Sequence, residues 1–72
     1  MSPEKLVYMA NQIGKFFAHE GEARAVASIA DHLRRFWDPR MRAAIRAHAA
    51  AGGAGLDPWV LRAVESLAPT NA

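Results

Sequence analysis

The side chains best able to do chemistry are concentrated in one stretch, which begins at His32 and ends at Arg42. It reads His-Leu-Arg-Arg-Phe-Trp-Asp-Pro-Arg-Met-Arg and holds four of the nine basic residues of the chain. Arginine binds carboxylate or phosphate groups through two parallel hydrogen bonds and also stacks on aromatic rings. The stretch is therefore a candidate for binding either a nucleic acid or another protein.

The nucleic-acid interpretation rests on the Asp38-Pro39 pair, which predicts a bend before an arginine-bearing helix and so superficially resembles a helix-turn-helix. Against it, the turn lacks the usual glycine, the third helix has no Asn or Gln for adenine, and the net charge is only +2. A third interpretation is that the arginines merely form a solvated surface. A protein interface is favoured, because Arg and Trp are enriched among the residues that dominate binding energy.

Catalysis and metal binding have little support in the sequence. The histidines, at positions 19, 32 and 48, are not spaced as the paired ligands of helical metal sites are. The chain has no cysteine, which excludes thiolate ligands and disulfides. No serine lies in a Gly-x-Ser-x-Gly elbow, and Gly53-Ala54-Gly55 lacks the preceding strand of a dinucleotide-binding loop. The sequence therefore predicts no catalytic, cofactor-binding or metal-binding residue.

Length and composition bound the size of the core. The chain of 72 residues makes a single domain, and alanine dominates the 51% of its residues that are hydrophobic. Such a domain is expected to be marginally stable alone and to gain stability from a partner or from self-association. The polar N-terminus does not look like a secretory signal, and no stretch approaches the roughly 20 apolar residues of a membrane span. We therefore expect a cytoplasmic protein.

Hydrophobic periodicity and helix-capping signals predict an all-α fold. The first two helices are joined by a short turn at Gly21 and should form an antiparallel hairpin. Two shorter helices should fold across it, giving a small bundle of three to four helices in one domain over residues 1–72. The loop at 51–57 should be flexible because of its glycines, and residues 69–72 should be a frayed tail. The predicted helices span about 3–20, 22–37, 39–50 and 58–68.

The apolar faces of the first two helices define the expected core. We expect the first face to comprise Leu6, Met9, Ala10, Ile13, Phe16 and Phe17. We expect the second to comprise Ala23, Val26, Ile29, Ala30, Leu33, Phe36 and Trp37. Two single residues carry local predictions: Gly14 should permit a close backbone contact inside the first helix, and His48 should be partly buried and hydrogen-bonded to a carbonyl.

The sequence resembles the delta subunit of NAD-dependent, molybdenum-containing formate dehydrogenase over nearly its whole length. The most specific segments are Met9-Ala10-Asn11-Gln12-Ile13, with Phe16-Phe17 after it, and the run from Phe36 to Arg42. The resemblance implies an accessory subunit of a cytoplasmic complex whose larger subunits carry bis-molybdopterin guanine dinucleotide, iron–sulfur clusters and FMN and oxidise formate with NAD. It also implies that the delta subunit holds no cofactor and supports assembly, cofactor insertion or stability of the complex.

Residue types and spacing, together with this resemblance, predict a non-catalytic protein that docks on the molybdenum-bearing catalytic subunit. Asp38 and Pro39 should set the bend beside the docking surface. The alternative function is a small helical nucleic-acid-binding protein that uses the central arginines, and the isolated chain should tend to self-associate. The residues predicted to touch the partner are Phe36, Trp37, Arg40, Met41 and Arg42, with polar contacts from Tyr8, Asn11 and Gln12.

Overall fold

The computed structural model describes residues 2–68 of the chain. These residues form four α-helices and no strand, which confirms the all-α fold class. A 3₁₀ turn, Ala18–Glu20, follows the first helix, and the expected tail at 69–72 lies outside the described residues. In the described part of the chain, none of the helices has the length and apolar character needed to cross a membrane. The helices are α1 (Pro3–Phe17), α2 (Glu22–Phe36), α3 (Pro39–Ala50) and α4 (Pro58–Glu65).

Side-chain capping explains where α1 and α3 begin. The Ser2 hydroxyl accepts a hydrogen bond from the Lys5 amide at 3.3 Å, and the Asp38 carboxylate accepts one from the Met41 amide at 2.8 Å. In each case proline occupies the first helical position, where no amide hydrogen is required. The chain therefore turns at Asp38 and starts a new helix immediately, which is the bend that the sequence predicts.

The core is formed where all four helices meet. The most extensive contact is between α2 and α4, and α3 packs on both α1 and α4. The fourth helix is therefore central to the bundle. Its buried residues cover the apolar face of α2. The largest fully buried side chains are Leu6, Ile29, Leu33, Ile45, Val60 and Val64.

Gly14 of α1 packs against Val60 of α4. A β-carbon built on Gly14 would lie 2.5 Å from Cγ2 of Val60, a separation that real β-carbons do not show. The φ of Gly14 is helical rather than positive, so the backbone conformation does not require glycine. Glycine is needed here because a side chain would have no space. The predicted close contact at Gly14 is confirmed.

Two phenylalanines assigned to the core by periodicity lie outside it. Phe16 is 71% exposed and Phe36 is 70% exposed, so this part of the core prediction is wrong. The buried row of α1 is Leu6, Ala10 and Gly14, and Phe16 follows Gly14 by two residues, or about 200° around the helix axis. Phe36 is the last residue of α2, and no neighbouring helix covers its ring.

Candidate docking surface

The bend separates two adjacent aromatic residues. Trp37 is the C-cap of α2, and the chain leaves the helical path there, with φ −90° and ψ 138° at this residue. Trp37 is only 5% exposed and belongs to the core, whereas Phe36 faces solvent. The sequence predicts partner contacts for both residues, and in this fold the Phe36 ring is accessible to a partner while the Trp37 ring is buried.

Arg42 holds the bend from within the molecule. Its guanidinium donates to the backbone carbonyl of Trp37 and, at 3.4 Å, to that of Arg34. Both acceptors lie in the last turn of α2 or just after it, where helical carbonyls lack intrahelical partners. Arg42 is half-buried, and its hydrogen bonds give it a structural role at the end of α2. This placement leaves Arg42 less free for a partner than the sequence predicts.

Arg40 and Met41 remain accessible on the α3 side of the bend. Arg40 is exposed and Met41 is half-buried. Both residues line an open groove between the start of α1 and the start of α3. The groove is lined by Leu6, Asp38, Arg40, Met41 and Ala44.

Asn11 fastens the loop that precedes α4. Its side-chain amide donates to the Gly55 carbonyl at 2.9 Å, and its side-chain oxygen accepts from the Asp57 amide at 3.0 Å. Both ends of the side chain are therefore engaged within the molecule, across more than 40 residues of sequence. The Asn11 side chain thus holds the loop against α1, whereas the sequence predicts that it makes a polar contact with a partner. We call this pair of hydrogen bonds the Asn11 clamp.

His48 supports the same loop from the other side. Its Nε2 lies 2.7 Å from the Ala54 carbonyl, and the side chain is half-buried, which confirms the prediction made for it. The Gly53 amide donates to the His48 carbonyl at 2.9 Å. Gly53 and Gly55 have positive φ values of 67° and 85°. These glycines therefore allow the backbone conformation in which the loop forms its hydrogen bonds. This conformational requirement accounts for the glycines of the loop better than the expected flexibility does.

Tyr8 and Gln12 lie on the outer side of α1. Both are exposed, and the Gln12 amide donates to the Tyr8 hydroxyl at 3.2 Å. Phe16 continues the same series, because residues four apart are neighbours on a helix surface. Tyr8 and Gln12 are thus available to a partner, beside an exposed ring that sequence reasoning had placed in the core.

Four rings form a continuous row across the ends of α1 and α2, which we call the aromatic row: Phe16, Phe17, His32 and Phe36. Their successive centroid distances are 5.0, 6.2 and 4.7 Å, within the range of aromatic contacts. Phe17 and His32 are half-buried, while the two outer rings are exposed. Sequence reasoning missed this row as a surface. The available signals are two consecutive phenylalanines, whose side chains project about 100° apart on a helix, and the four-residue spacing of His32 and Phe36.

The charged residues around the aromatic row are not balanced. Asp31 forms an ion pair with Arg35 at 3.1 Å, and Asp38 caps α3. Within residues 2–68, neither Arg34 nor Arg40 has a carboxylate within 4 Å, although both are exposed. The segment from residue 31 to residue 46 therefore carries excess positive charge, with five arginines against two aspartates.

Ligands for an iron–sulfur cluster or a metal ion can be sought directly among the residues of this chain. The chain has no cysteine to ligate an iron–sulfur cluster. Among residues 2–68, no group of three or more His, Asp or Glu side chains is placed to hold a metal ion. What the described residues do present is an apolar and basic surface, which is suited to contact with another macromolecule.

Comparison with known proteins identifies the family. The family model of the NADH-dependent formate dehydrogenase delta subunit, FdsD, matches residues 5–64, which include all of α2 and α3 and most of α1 and α4. The chain belongs to the FdsD family. The resemblance stated from the sequence is confirmed, and membership of a delta-subunit family implies association with the other subunits of formate dehydrogenase. No curated protein and no solved structure gives a significant match.

Proposed function

We propose that this FdsD-family chain is a non-catalytic accessory subunit of a cytoplasmic, NAD-dependent formate dehydrogenase. It supports assembly, molybdenum-cofactor insertion or stability of the catalytic subunit. The observation that carries the proposal is the aromatic row, whose outer rings, Phe16 and Phe36, are 71% and 70% exposed. Clustered exposed aromatic rings are a feature of protein interfaces, because they bury large apolar areas with little loss of side-chain freedom.

The partner in this proposal is the molybdenum-bearing subunit. The larger subunits would carry the bis-molybdopterin guanine dinucleotide, the iron–sulfur clusters and FMN, since this chain supplies no thiolate and its residues 2–68 no metal-ligand cluster. Its contribution to the complex is then a docking surface. That surface comprises the aromatic row together with Tyr8, Gln12, Arg40 and Met41.

A double substitution tests the docking surface directly. In the complex co-expressed with all its subunits, Phe16→Ser with Phe36→Ser should strongly reduce the amount of this chain that co-purifies with the larger subunits. Removing a buried aromatic anchor from an interface costs about 2 kcal/mol or more. Both rings are exposed in the free chain, so the variant should keep its helical circular dichroism.

A matched control keeps this test specific. Ala27→Ser introduces serine, as the double variant does, at another exposed position of α2. This position is outside the aromatic row, so the substitution should leave co-purification unchanged. Retention of the folded double variant at the level of the control would contradict docking through the aromatic row.

Omitting the chain tests the accessory role. A complex produced without it should retain formate oxidation per molybdenum centre, but it should contain less molybdenum or dissociate sooner. Metal analysis and size-exclusion chromatography over time measure these two quantities. Normal molybdenum content together with a normal lifetime would contradict an accessory role, and loss of activity per molybdenum centre would indicate a direct part in catalysis.

Cross-linking identifies the partner. A photo-reactive amino acid placed at position 36 should cross-link to the molybdenum-bearing subunit, and the cross-linked peptide is identified by mass spectrometry. A cross-link to another large subunit would reassign the partner. A cross-link between two copies of this chain would indicate self-association instead.

A further inference from the structure

His32 is the one titratable side chain of the aromatic row. Its ring lies between the half-buried ring of Phe17, on α1, and the exposed ring of Phe36, with centroid distances of 6.2 and 4.7 Å. The other members of the row are all phenylalanines, so the imidazole is the only ring of the four that can carry a charge. A partner that covers the aromatic row therefore covers this imidazole as well.

The described part of the chain offers the His32 ring no ion pair and no hydrogen bond. Among residues 2–68, no carboxylate oxygen lies within 4 Å of its nitrogens, and the histidine side chains that form hydrogen bonds are His19 and His48. Within the same residues, no side-chain nitrogen or oxygen is both fully buried and without a partner. The nitrogens of the half-buried His32 side chain are therefore in contact with solvent in the free chain.

The other two histidines have different surroundings. His19 lies in the 3₁₀ turn and is exposed, and its Nδ1 is 3.2 Å from the Phe16 carbonyl. His48 lies on α3, with its Nε2 2.7 Å from the Ala54 carbonyl. Neither ring belongs to the aromatic row. Only His32 combines a place between apolar rings with nitrogens that have no partner in residues 2–68.

The charged groups of α2 and of the adjoining turn are engaged with each other rather than with His32. Asp31, the preceding residue, forms an ion pair with Arg35 at 3.1 Å. From the 3₁₀ turn, the Glu20 carboxylate accepts a hydrogen bond at 2.7 Å from the hydroxyl of Ser28, which lies one helical turn before His32. These groups therefore do not supply an ion pair to the imidazole.

The other helices add no counter-charge to the imidazole. On α1, Lys15 precedes Phe17 by two residues and so projects about 200° away from it around the helix axis. On α3, the Arg42 guanidinium donates to backbone carbonyls at the end of α2, and on α4, Arg62 pairs with Glu22. The remaining carboxylates of the described residues also lie more than 4 Å from the His32 nitrogens: Glu4, Asp38, Asp57 and Glu65.

We infer that docking through the aromatic row requires His32 in its neutral form, so that association with the larger formate dehydrogenase subunits weakens as pH falls. A partner that covers Phe16 and Phe36 removes water from the imidazole in the same row. Burying a charged group without a counter-charge costs far more than burying a neutral one. Histidine is the side chain that ordinarily changes its charge between about pH 5 and pH 8. The inference rests on the proposed function and adds the pH dependence of that same surface.

The sign of the effect follows from the proton balance. The complex takes up fewer protons than the separate components, so binding is strongest at the upper end of this pH range and is lost as the imidazole of the free chain is protonated. One proton changes a binding constant by at most about tenfold per pH unit. The expected change over two pH units is therefore about fivefold or more, below the limit for a single proton.

The dissociation constant of this chain from its complex tests the inference. The complex, co-expressed with all its subunits and immobilised through a larger subunit, is diluted to equilibrium at about pH 7.5 and at about pH 5.5, at constant ionic strength. The fraction of this chain that stays bound gives the Kd at each pH. We expect the Kd of the unmodified chain to be about fivefold or more higher at the lower pH.

His32→Phe keeps an aromatic ring in the row but has no nitrogen to protonate. We expect this variant to lose most of the pH dependence and to bind more tightly than the unmodified chain at the lower pH. His32→Gln, which has neither ring nor charge, should lose the pH dependence even where its affinity is lower at both pH values. Circular dichroism at the two pH values establishes that each chain is folded.

The control is His19→Gln, which removes an exposed histidine outside the aromatic row and should keep the pH dependence of the unmodified chain. If the His32 variants weaken with pH as much as this control does, the titrating group lies elsewhere and the inference is wrong. An unmodified chain that binds equally well, or more tightly, at the lower pH would also overturn it. Tighter binding would indicate a partner carboxylate paired with the imidazolium.

The outcomes separate this inference from the proposed function. If Phe16→Ser with Phe36→Ser prevents capture while the unmodified chain binds equally at both pH values, docking through the aromatic row stands and the requirement for neutral His32 does not. If the phenylalanine variant is captured like Ala27→Ser, docking through the row fails, and the inference fails with it.

Discussion

Two helices of this chain begin with the same dipeptide, Asp-Pro, yet their surroundings differ. At Asp38-Pro39 the aspartate side chain caps α3, and the ring of Phe36, the last residue of the preceding helix, is exposed. At Asp57-Pro58 the aspartate side chain makes no capping hydrogen bond. Its backbone amide is instead bound by Asn11, within a loop whose polar groups bond to one another.

The difference separates the parts of the surface that serve the fold from those left for a partner. Around the loop, the side chains of Asn11 and His48 form hydrogen bonds within the molecule. Around the bend, the Trp37 side chain is buried, whereas its neighbour Phe36 remains exposed. Substitutions at the loop should therefore mainly change stability, and substitutions on the outer side of the bend should mainly change association.

The largest contrast is expected between Trp37 and Phe36. Trp37→Ala should destabilise the fold by about 3–5 kcal/mol, because it removes a buried ring from a small core. That cost is a large part of the stability of a domain of this size, so the variant should unfold at a much lower urea concentration. Phe36→Ala should change the free energy of unfolding by less than about 1 kcal/mol, because its ring is already exposed. Urea denaturation followed by circular dichroism compares the two.

Equal destabilisation by these two variants would contradict the division of roles at the bend. A further check is the effect of each on association. Phe36→Ala should weaken capture by the larger subunits while the chain stays folded.

A second, smaller effect is expected at the loop. Asn11→Ala should cost about 2 kcal/mol, because it removes two hydrogen bonds and leaves the Gly55 carbonyl and the Asp57 amide without their partner. Gln12→Ala is the matched control, since Gln12 is the exposed neighbour whose one side-chain hydrogen bond among residues 2–68 is to Tyr8. Thermal unfolding of both variants measures the difference. If Asn11→Ala is no more destabilising than its control, the clamp contributes little to the fold.

The smallest difference in the free energy of unfolding is expected between substitutions of the two aspartates. Asp38→Ala should cost about 1 kcal/mol through loss of the capping hydrogen bond to Met41. Asp57→Ala should cost only a few tenths of a kcal/mol, because its side chain makes no such bond and its backbone amide is unchanged. Urea denaturation midpoints of the two variants provide the measurement, and equal shifts would mean that the two helix starts are equivalent after all.

Local signals in the sequence were sufficient for much of the fold. Ser2-Pro3 and the two Asp-Pro pairs mark helix starts through capping and proline geometry, which depend on only a few neighbouring residues. The close contact at Gly14 and the carbonyl contact of His48 were also predictable, since glycine inside a helix and histidine on an apolar face suggest few alternatives.

The remaining features depend on how the helices pack together. Periodicity assigns Phe16 and Phe36 to apolar faces, but only the packing of neighbouring helices decides which flank of a face is covered. The burial of Trp37 depends on the residues of the other helices that pack against its ring. Asn11 bonds to a loop more than 40 residues away, a pairing that no local pattern in a single sequence indicates.

The burial of Trp37 has a spectroscopic consequence. In a Trp59→Phe variant, Trp37 would be the sole tryptophan of the chain, with its indole in an apolar environment. Its fluorescence emission should lie to the blue of that of a hydrated indole and shift to longer wavelength only when the bundle opens. A partner that covers Phe36 should leave this emission nearly unchanged, so one optical signal can distinguish docking of the folded chain from its unfolding.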